Sequence, residues 1–388
     1  LRASYKRFPR NGAPLHGEYT RFIEEQRGWL DDFALYLALK SRFGEIVWTD
    51  WPRPYALRSP EALDDTRASL ADEIDFHRYI QFLFFRQWAA VRAEAHARSI
   101  RILGDLAIFI AHDSADVWAH RKLFALDDDG RPTVVAGVPP DYFSKTGQLW
   151  GNPLYRWDVL AGDDFRWWVE RVRHALTLED MLRLDHFRGF AAYWEIPGDA
   201  ETAESGRWAP GPGAALFRAI RRELGNVPLI AEDLGVITPD VVALRKRLRL
   251  PGMRVLQFAF GGEPDNEFLP HNYERNTVVY TGTHDNDTTC GWYESLAPAQ
   301  RRHARAYLHS DGHHIAWDMI RAAEASVAEI AIVPLQDALE LGSDARMNFP
   351  SKSAHNWVWR CPPELLTPAM AARLAEIATL YGRAPVSE

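Results

Sequence analysis

The sequence predicts an α/β chain built on a (β/α)8 TIM barrel with inserted helical subdomains, and three observations carry that prediction. From about residue 100 onward, short apolar runs rich in β-branched residues alternate with helical stretches. These runs are mostly apolar, without a polar alternation, as strands buried on both faces of a parallel sheet tend to be. Polar residues gather where the runs end, which is where a barrel of this type carries its chemistry. A nucleotide-binding sheet is set aside, because no G-x-G-x-x-G follows any run and Gly211-Pro212-Gly213 falls in a loop.

Taken in order, residues 15–43 have few helix breakers and read as a helix. Ser59-Pro60 supplies an N-cap followed by Pro at the first helical position, and a second long helix is expected from there. Its apolar stripe, Phe76, Ile80, Leu83, Phe84, Trp88 and Val91, reads as core. Residues 1–100 are thus expected to form a helical insertion subdomain. Strands are expected at Ile102–Ile110, Met181–Phe187, Pro228–Ala231, Met253–Phe260, Thr277–Thr281 and Glu329–Val333. Residues 101–388 would form the barrel, with active-site loops around 136–157 and 199–213. Six strands are two short of a closed barrel, so the first two are expected to be absent from this chain, which opens Leu1-Arg2-Ala3 without an initiator Met. A separate N-terminal fragment would then complete the barrel.

Composition excludes several function classes. A net charge of −8 gives no electrostatic case for nucleic acid or an anionic membrane. Two cysteines, Cys290 and Cys361, make no disulfide framework, and no apolar run reaches the ~20 residues of a spanning helix. With no signal peptide in view, a cytoplasmic location is expected. Asp127-Asp128-Asp129-Gly130 reads as a solvated turn, since it lacks the alternating ligand spacing of a calcium loop.

The chemistry is expected at three strand ends. In Arg183-Leu184-Asp185-His186, positions two apart on a strand share a face, so Arg183 and Asp185 point the same way. A neighbouring guanidinium favours the ionised carboxylate, which suits a nucleophile at an anomeric carbon, but a structural ion pair fits those residues equally well. In Leu229-Ile230-Ala231-Glu232-Asp233, an apolar strand ends in two acids. Glu232 suits a general acid, and Asp233 a loop or N-cap acid. In Thr281-Gly282-Thr283-His284-Asp285, Asp285 and His284 suit hydrogen bonding to sugar hydroxyls. No Cys or second His lies close enough in sequence to complete a transition-metal set, so no metal or other cofactor is expected.

The order Arg-x-Asp, then Glu, then His-Asp on successive or near-successive strands resembles the α-amylase superfamily. Gly137-Val138-Pro139-Pro140-Asp141-Tyr142-Phe143-Ser144 through Gly147-Gln148-Leu149-Trp150-Gly151-Asn152-Pro153-Leu154-Tyr155 is similar to a loop of the amylomaltases, the 4-α-glucanotransferases also called disproportionating enzymes. Arg183–Phe190, Ile230–Gly235 and Asp113-Ser114-Ala115-Asp116-Val117-Trp118 are similar to that family too. The resemblance implies strands three to eight of the family barrel, and retaining transfer of α-1,4-glucan segments. Asp185 would be the nucleophile, Glu232 the acid/base and Asp285 the third carboxylate. It implies substrate contacts from Arg183, His284, Asp113, Asp141, Tyr142, Phe143, Gln148, Trp150 and Asn356. Partners would be maltooligosaccharides, amylose or glycogen-derived glucans. The chain departs from the family before Asn356-Trp357, where His355 stands in place of a usual Gly. An amylase-type hydrolase, and a truncated chain that binds glucan with little catalysis, are the alternatives. Reducing ends released from maltotriose would separate the first from a transferase.

Overall fold

The computed structural model describes residues 1–11, 13–140, 145–350, 352 and 354–384. The chain divides into two compact units, Leu1–Leu229 with Ile237–Leu248, and Ile230–Val236 with Arg249–Glu388. The helical segment before residue 100 falls inside the first of these.

That segment is dominated by the helices Ala13–Arg42 and Ala71–His96, whose side chains Phe22, Leu30, Phe76, Tyr79 and Phe82 meet together with Tyr5 of the helix Arg2–Asn11. Each such side chain, once buried, contributes about 1.5–3 kcal/mol. Pro60–Ser69 is a separate helix, capped by the Ser59 side chain, which accepts from Ala62 N. The apolar stripe of Ala71–His96 is core only in part, because Phe84 and Val91 are exposed. At 100° per residue, Phe84, Trp88 and Val91 lie roughly 60–120° round the helix from Phe76, while Tyr79 and Phe82 lie on the other side. The buried arc follows the second set.

Strand β1 (Leu103–Leu106) leads to an antiparallel arm made of β2 (Val134–Val138) and β3 (Gln148–Pro153), and then to β4 (Met181–Leu184). The arm is completed by β5 (Ala192–Pro197) and β6 (Arg207–Pro210), in the order β3-β2-β5-β6. The expected loops around 136–157 and 199–213 therefore contain strands. Their Gly and Pro content misled because β3 and β6 are edges, where Pro153 and Pro210 cost no ladder bond, and the register shift between Val135 and Gly137 absorbs the irregularity. Gly147, just before β3, has φ 70, and an added Cβ there would come within 2.4 Å of the Val138 carbonyl oxygen.

In the first unit β1 pairs in parallel with β4, Asp105 opposite Arg183, and Leu182 N donates to Pro228 O on the other side of β4. Strand β7 (Leu229–Ala231) begins there and is buried throughout. The second unit holds β8 (Gly252–Val255), β9 (Thr277–Tyr280) and β10 (Ile330–Ile332), with β9 paired in parallel to both others. Each expected strand is present but shorter. In β4 the cause is visible: His186 takes the left-handed region at φ 50 and ends the strand just past Asp185. The core of this unit gathers Leu256, Phe260, Val279, Met319 and Ala323 against the helix Ile315–Ala325.

Candidate active site

In the first unit the site is built on the β1–β4 register. Arg183 is 7 % exposed and lies across from Asp105, to whose two carboxylate oxygens its Nη1 donates at 2.7 and 2.6 Å. The same Nη1 lies 2.9 Å from Asp185 Oδ1. Asp185 stands one residue past β4, yet its N–H still donates to Leu106 O at 3.1 Å, so the strand's facing is kept. One buried guanidinium thus orients two half-exposed carboxylates. The sequence reading missed Asp105, although it is the one charged residue within the apolar run Leu103–Leu106.

Trp150, on β3, meets His186 edge to face at a centroid distance of 4.8 Å, and its indole N–H donates to Gln148 Oε1 at 3.2 Å. The structure therefore brings Gln148 and Trp150 to the residue next to Asp185. Burial, with Arg188 adding to it, pushes the His186 imidazole down to about 3, so it stays neutral. Asp141, Tyr142 and Phe143 lie outside the described residues.

Asp113, expected as a substrate contact, is bound by groups of the chain itself. Its carboxylate accepts from Tyr36 Oη at 2.6 Å, Lys40 Nζ at 2.7 Å and Trp48 N at 3.4 Å. Burial alone would raise its pKa, but the bonds from Lys40 and Tyr36 outweigh that and lower it. It ties the segment after β1 to the helix Ala13–Arg42.

In the second unit Glu232 follows β7 and is buried, with Leu234 N donating to its Oε1 at 2.9 Å. Asp233 accepts from Met253 N at 2.7 Å and lies 3.7 Å from Arg254, so it is a loop acid that fastens the end of β7 to β8. Asp285 follows β9 and is half-exposed, 3.5 Å from His284 Nε2. Asn348 Nδ2 donates to Asp285 Oδ1 at 2.6 Å, and Arg346 Nη2 donates to the Asp285 carbonyl at 2.7 Å. Both were missed as site residues, although Asn348 opens the same motif that holds Asn356.

Asn356 is turned inward upon its own loop. Its Oδ1 accepts from Phe349 N at 3.0 Å and its Nδ2 donates to Lys352 O at 2.8 Å, so the side chain is spent on holding the backbone. His355, where the family's Gly is replaced, sits at φ 64 and Trp357 at φ 61, the region glycine enters most cheaply. Behind the β9 end, buried Asp337 accepts from Thr281 Oγ1 at 2.6 Å and Thr289 N at 2.7 Å, fixing the Thr281–Thr289 segment from below. Burial raises its pKa despite those bonds.

Each unit thus carries its own candidate groups: in the first, Asp185 beside the buried guanidinium of Arg183; in the second, Glu232, and Asp285 beside the Asn348 amide and the His284 imidazole. Carboxylates held in these ways are suited to nucleophilic attack and proton transfer. Comparison with known proteins gives the same direction. The glycoside hydrolase 77 family, described as 4-alpha-glucanotransferase, matches residues 1–367. A 4-alpha-glucanotransferase of Thermus thermophilus is 51% identical over 387 residues, covering 97% of this chain and 77% of that protein. The chloroplastic/amyloplastic 4-alpha-glucanotransferase of Solanum tuberosum is 48% identical over 359 residues, covering 92% and 62%. The solved structure of an amylomaltase from Streptococcus agalactiae in complex with acarbose superposes with a TM-score of 0.92 at 39% identity, covering 95% of this chain and 75% of that one. The TIM-barrel-type α/β fold expected from the sequence is the fold found. Among the described residues no helix is long and apolar enough to cross a membrane.

Proposed function

The chain belongs to the glycoside hydrolase 77 family of 4-alpha-glucanotransferases, and from that premise we propose that it transfers α-1,4-glucan segments between maltooligosaccharides by retaining double displacement. The observation that carries the reading is the pairing of Asp185 with Arg183 at 2.9 Å at the end of β4. That contact favours the ionised carboxylate and aims it, as a nucleophile requires.

Asp185 attacks the anomeric carbon of the donor while Glu232 protonates the departing glycosidic oxygen. The C1–O bond to the leaving glucan breaks and an ester to Asp185 forms. An acceptor hydroxyl then gives its proton to Glu232 and attacks C1, the ester bond breaks, and the configuration is retained. Asp285, held by Asn348, accepts hydrogen bonds from hydroxyls of the reacting sugar, contacts that count most as the ring flattens. Gln148 and Trp150 border the acceptor side, where the competition between sugar and water is decided. Arg183 holds the nucleophile and His284 reaches the same sugar as Asp285. The reaction is placed in the cytoplasm, on short glucans and those released from amylose or glycogen. No cofactor has a task in this scheme, since the carboxylates supply both nucleophile and proton. The domain scheme of a helical insertion before residue 100 and a catalytic barrel after it belongs to the same reading.

Incubation with maltotriose tests the proposal. A ladder of longer and shorter maltooligosaccharides with total reducing ends conserved is expected. Reducing ends rising in step with consumption of maltotriose would instead make the enzyme a hydrolase.

A further inference from the structure

We propose that Trp357 is a sugar-stacking residue, whose indole and the His284 ring together wall the glucose unit adjoining the one held by Asp285. The proposal rests on the reading of Asp285 given above and extends it to chain binding.

The geometry begins with exposure. Trp357 is 60 % exposed, in a residue type whose large apolar body ordinarily goes to a core or an interface. Its backbone is left-handed at φ 61, two residues after His355 at φ 64. Bulky residues hold that conformation only where their surroundings over-determine it, and such places cluster at ligand clamps.

Here the surroundings do so. Trp357 N donates to Met347 O at 2.8 Å, closing the loop on itself. Asn356 fastens the loop interior through Phe349 N and Lys352 O. The Arg346 guanidinium lies 4.3 Å from the Phe349 ring centroid, and its Nε donates to Asn348 O at 2.8 Å. At its base the same segment grips Asp285 twice, through Asn348 and Arg346. One short stretch therefore both orients the carboxylate and turns the indole outward beside the carboxylate's neighbour. The Trp357 and His284 rings lie 5.1 Å apart at 40°, an open corner with one apolar face and one hydrogen-bonding edge.

A pyranose ring matches that corner. Its axial C–H groups make an apolar face that packs on a flat aromatic surface, while its equatorial hydroxyls point sideways to polar groups. A glucose whose hydroxyls reach Asp285 and His284 places the next unit of the glucan about one ring width away, against the indole. The ligand class is thus an α-glucan of at least two units.

Initial rates with maltotriose as donor and acceptor, for the wild type, Trp357→Ala and Trp357→Phe, test this. Trp357→Ala is expected to raise KM about tenfold with kcat within about threefold, and Trp357→Phe to recover most of the loss, the signature of binding made before the transition state. Thermal unfolding checks that both variants are folded. An unchanged KM in folded Trp357→Ala, a fall in kcat alone, or a Phe variant as impaired as the Ala variant would each overturn the proposal. Calorimetric titration with acarbose separates it from the functional reading. If the wild type binds acarbose but transfers nothing, the transfer reading fails, and a weaker affinity of Trp357→Ala still supports stacking. Equal affinities reject stacking alone.

Discussion

The Asn348 side-chain amide donates to Asp285 Oδ1 across 2.6 Å, joining the ends of two segments that are 63 residues apart. Asn348→Ala removes the donor that fixes the rotamer of that carboxylate. Hydrogen bonds to charged groups contribute about 1.5–3 kcal/mol, so a loss of roughly ten- to a hundredfold in kcat/KM is expected. Steady-state rates with maltotriose check it, and a loss under threefold would show that Asp285 is oriented by other groups.

Asp185→Asn keeps the shape of the side chain and removes its nucleophilic charge. Transfer activity is expected to fall by at least about a thousandfold, with circular dichroism unchanged. Mass spectrometry after incubation with an activated fluoroglucoside should show a covalent sugar adduct on the wild type and none on this variant.

Retention also sets a distance. The Asp185 and Glu232 carboxyl groups are expected ~5–5.5 Å apart, and a crystal structure with bound oligosaccharide measures it. A separation of about 6.5 Å or more would leave room for a water and point to inversion.

Asp180 governs part of the acid stability. Its carboxylate accepts from Ile102 N at 2.8 Å, Arg92 Nη2 at 2.7 Å and His96 Nε2 at 2.9 Å. Burial works against ionisation, yet these bonds prevail and hold the pKa below its ordinary 3.8. A depressed carboxylate pKa stabilises the fold above the ordinary value, and that stability is lost as pH falls through the folded pKa. Asp180→Asn should cost about 1.5–3 kcal/mol near pH 7, and the gap to wild type should narrow at about pH 3 or below. Thermal unfolding of both proteins across that range decides it; a gap independent of pH would assign the effect to packing.

His355→Gly should stabilise the protein. The left-handed backbone costs a Cβ-bearing residue about 1–2 kcal/mol, partly offset by the greater chain entropy of unfolded Gly. A net gain up to about 1 kcal/mol, or a rise in Tm of roughly 1–2 °C, is the expected outcome. A lower Tm would mean that the imidazole makes contacts that outweigh the strain.

The parallel strands were legible because burial on both faces leaves continuous runs such as Thr277–Tyr280, where no residue is polar on one face only. Asp185, Glu232 and Asp285 stand out as candidates because each lies a few residues at most past the end of such a strand. The antiparallel arm was not, because edge strands such as Gln148–Pro153 tolerate the Gly and Pro that mark loops elsewhere. Asp113 and Asn356 carry the residue types of sugar contacts, and only their partners, Lys40 and Tyr36 in one case and the Phe349 and Lys352 backbone in the other, reveal that they hold the chain. Nothing in composition distinguishes an amide that faces a ligand from one that staples a loop. Asp105 was overlooked inside a strand, although the buried charge of Arg183 opposite it calls for a carboxylate partner.

The register that sets Asp105 opposite Arg183 joins residues 78 apart, with the antiparallel arm's first two strands in between. A pairing of that separation closes a long loop before it gains anything, so it belongs to the slow, non-local part of folding. A slip of one residue would also turn Arg183 and Asp185 together to the opposite face and part Arg183 from Asp105. Chains that have acquired their helices but not this pairing are therefore catalytically silent, and the appearance of activity during refolding reports topology rather than helix content.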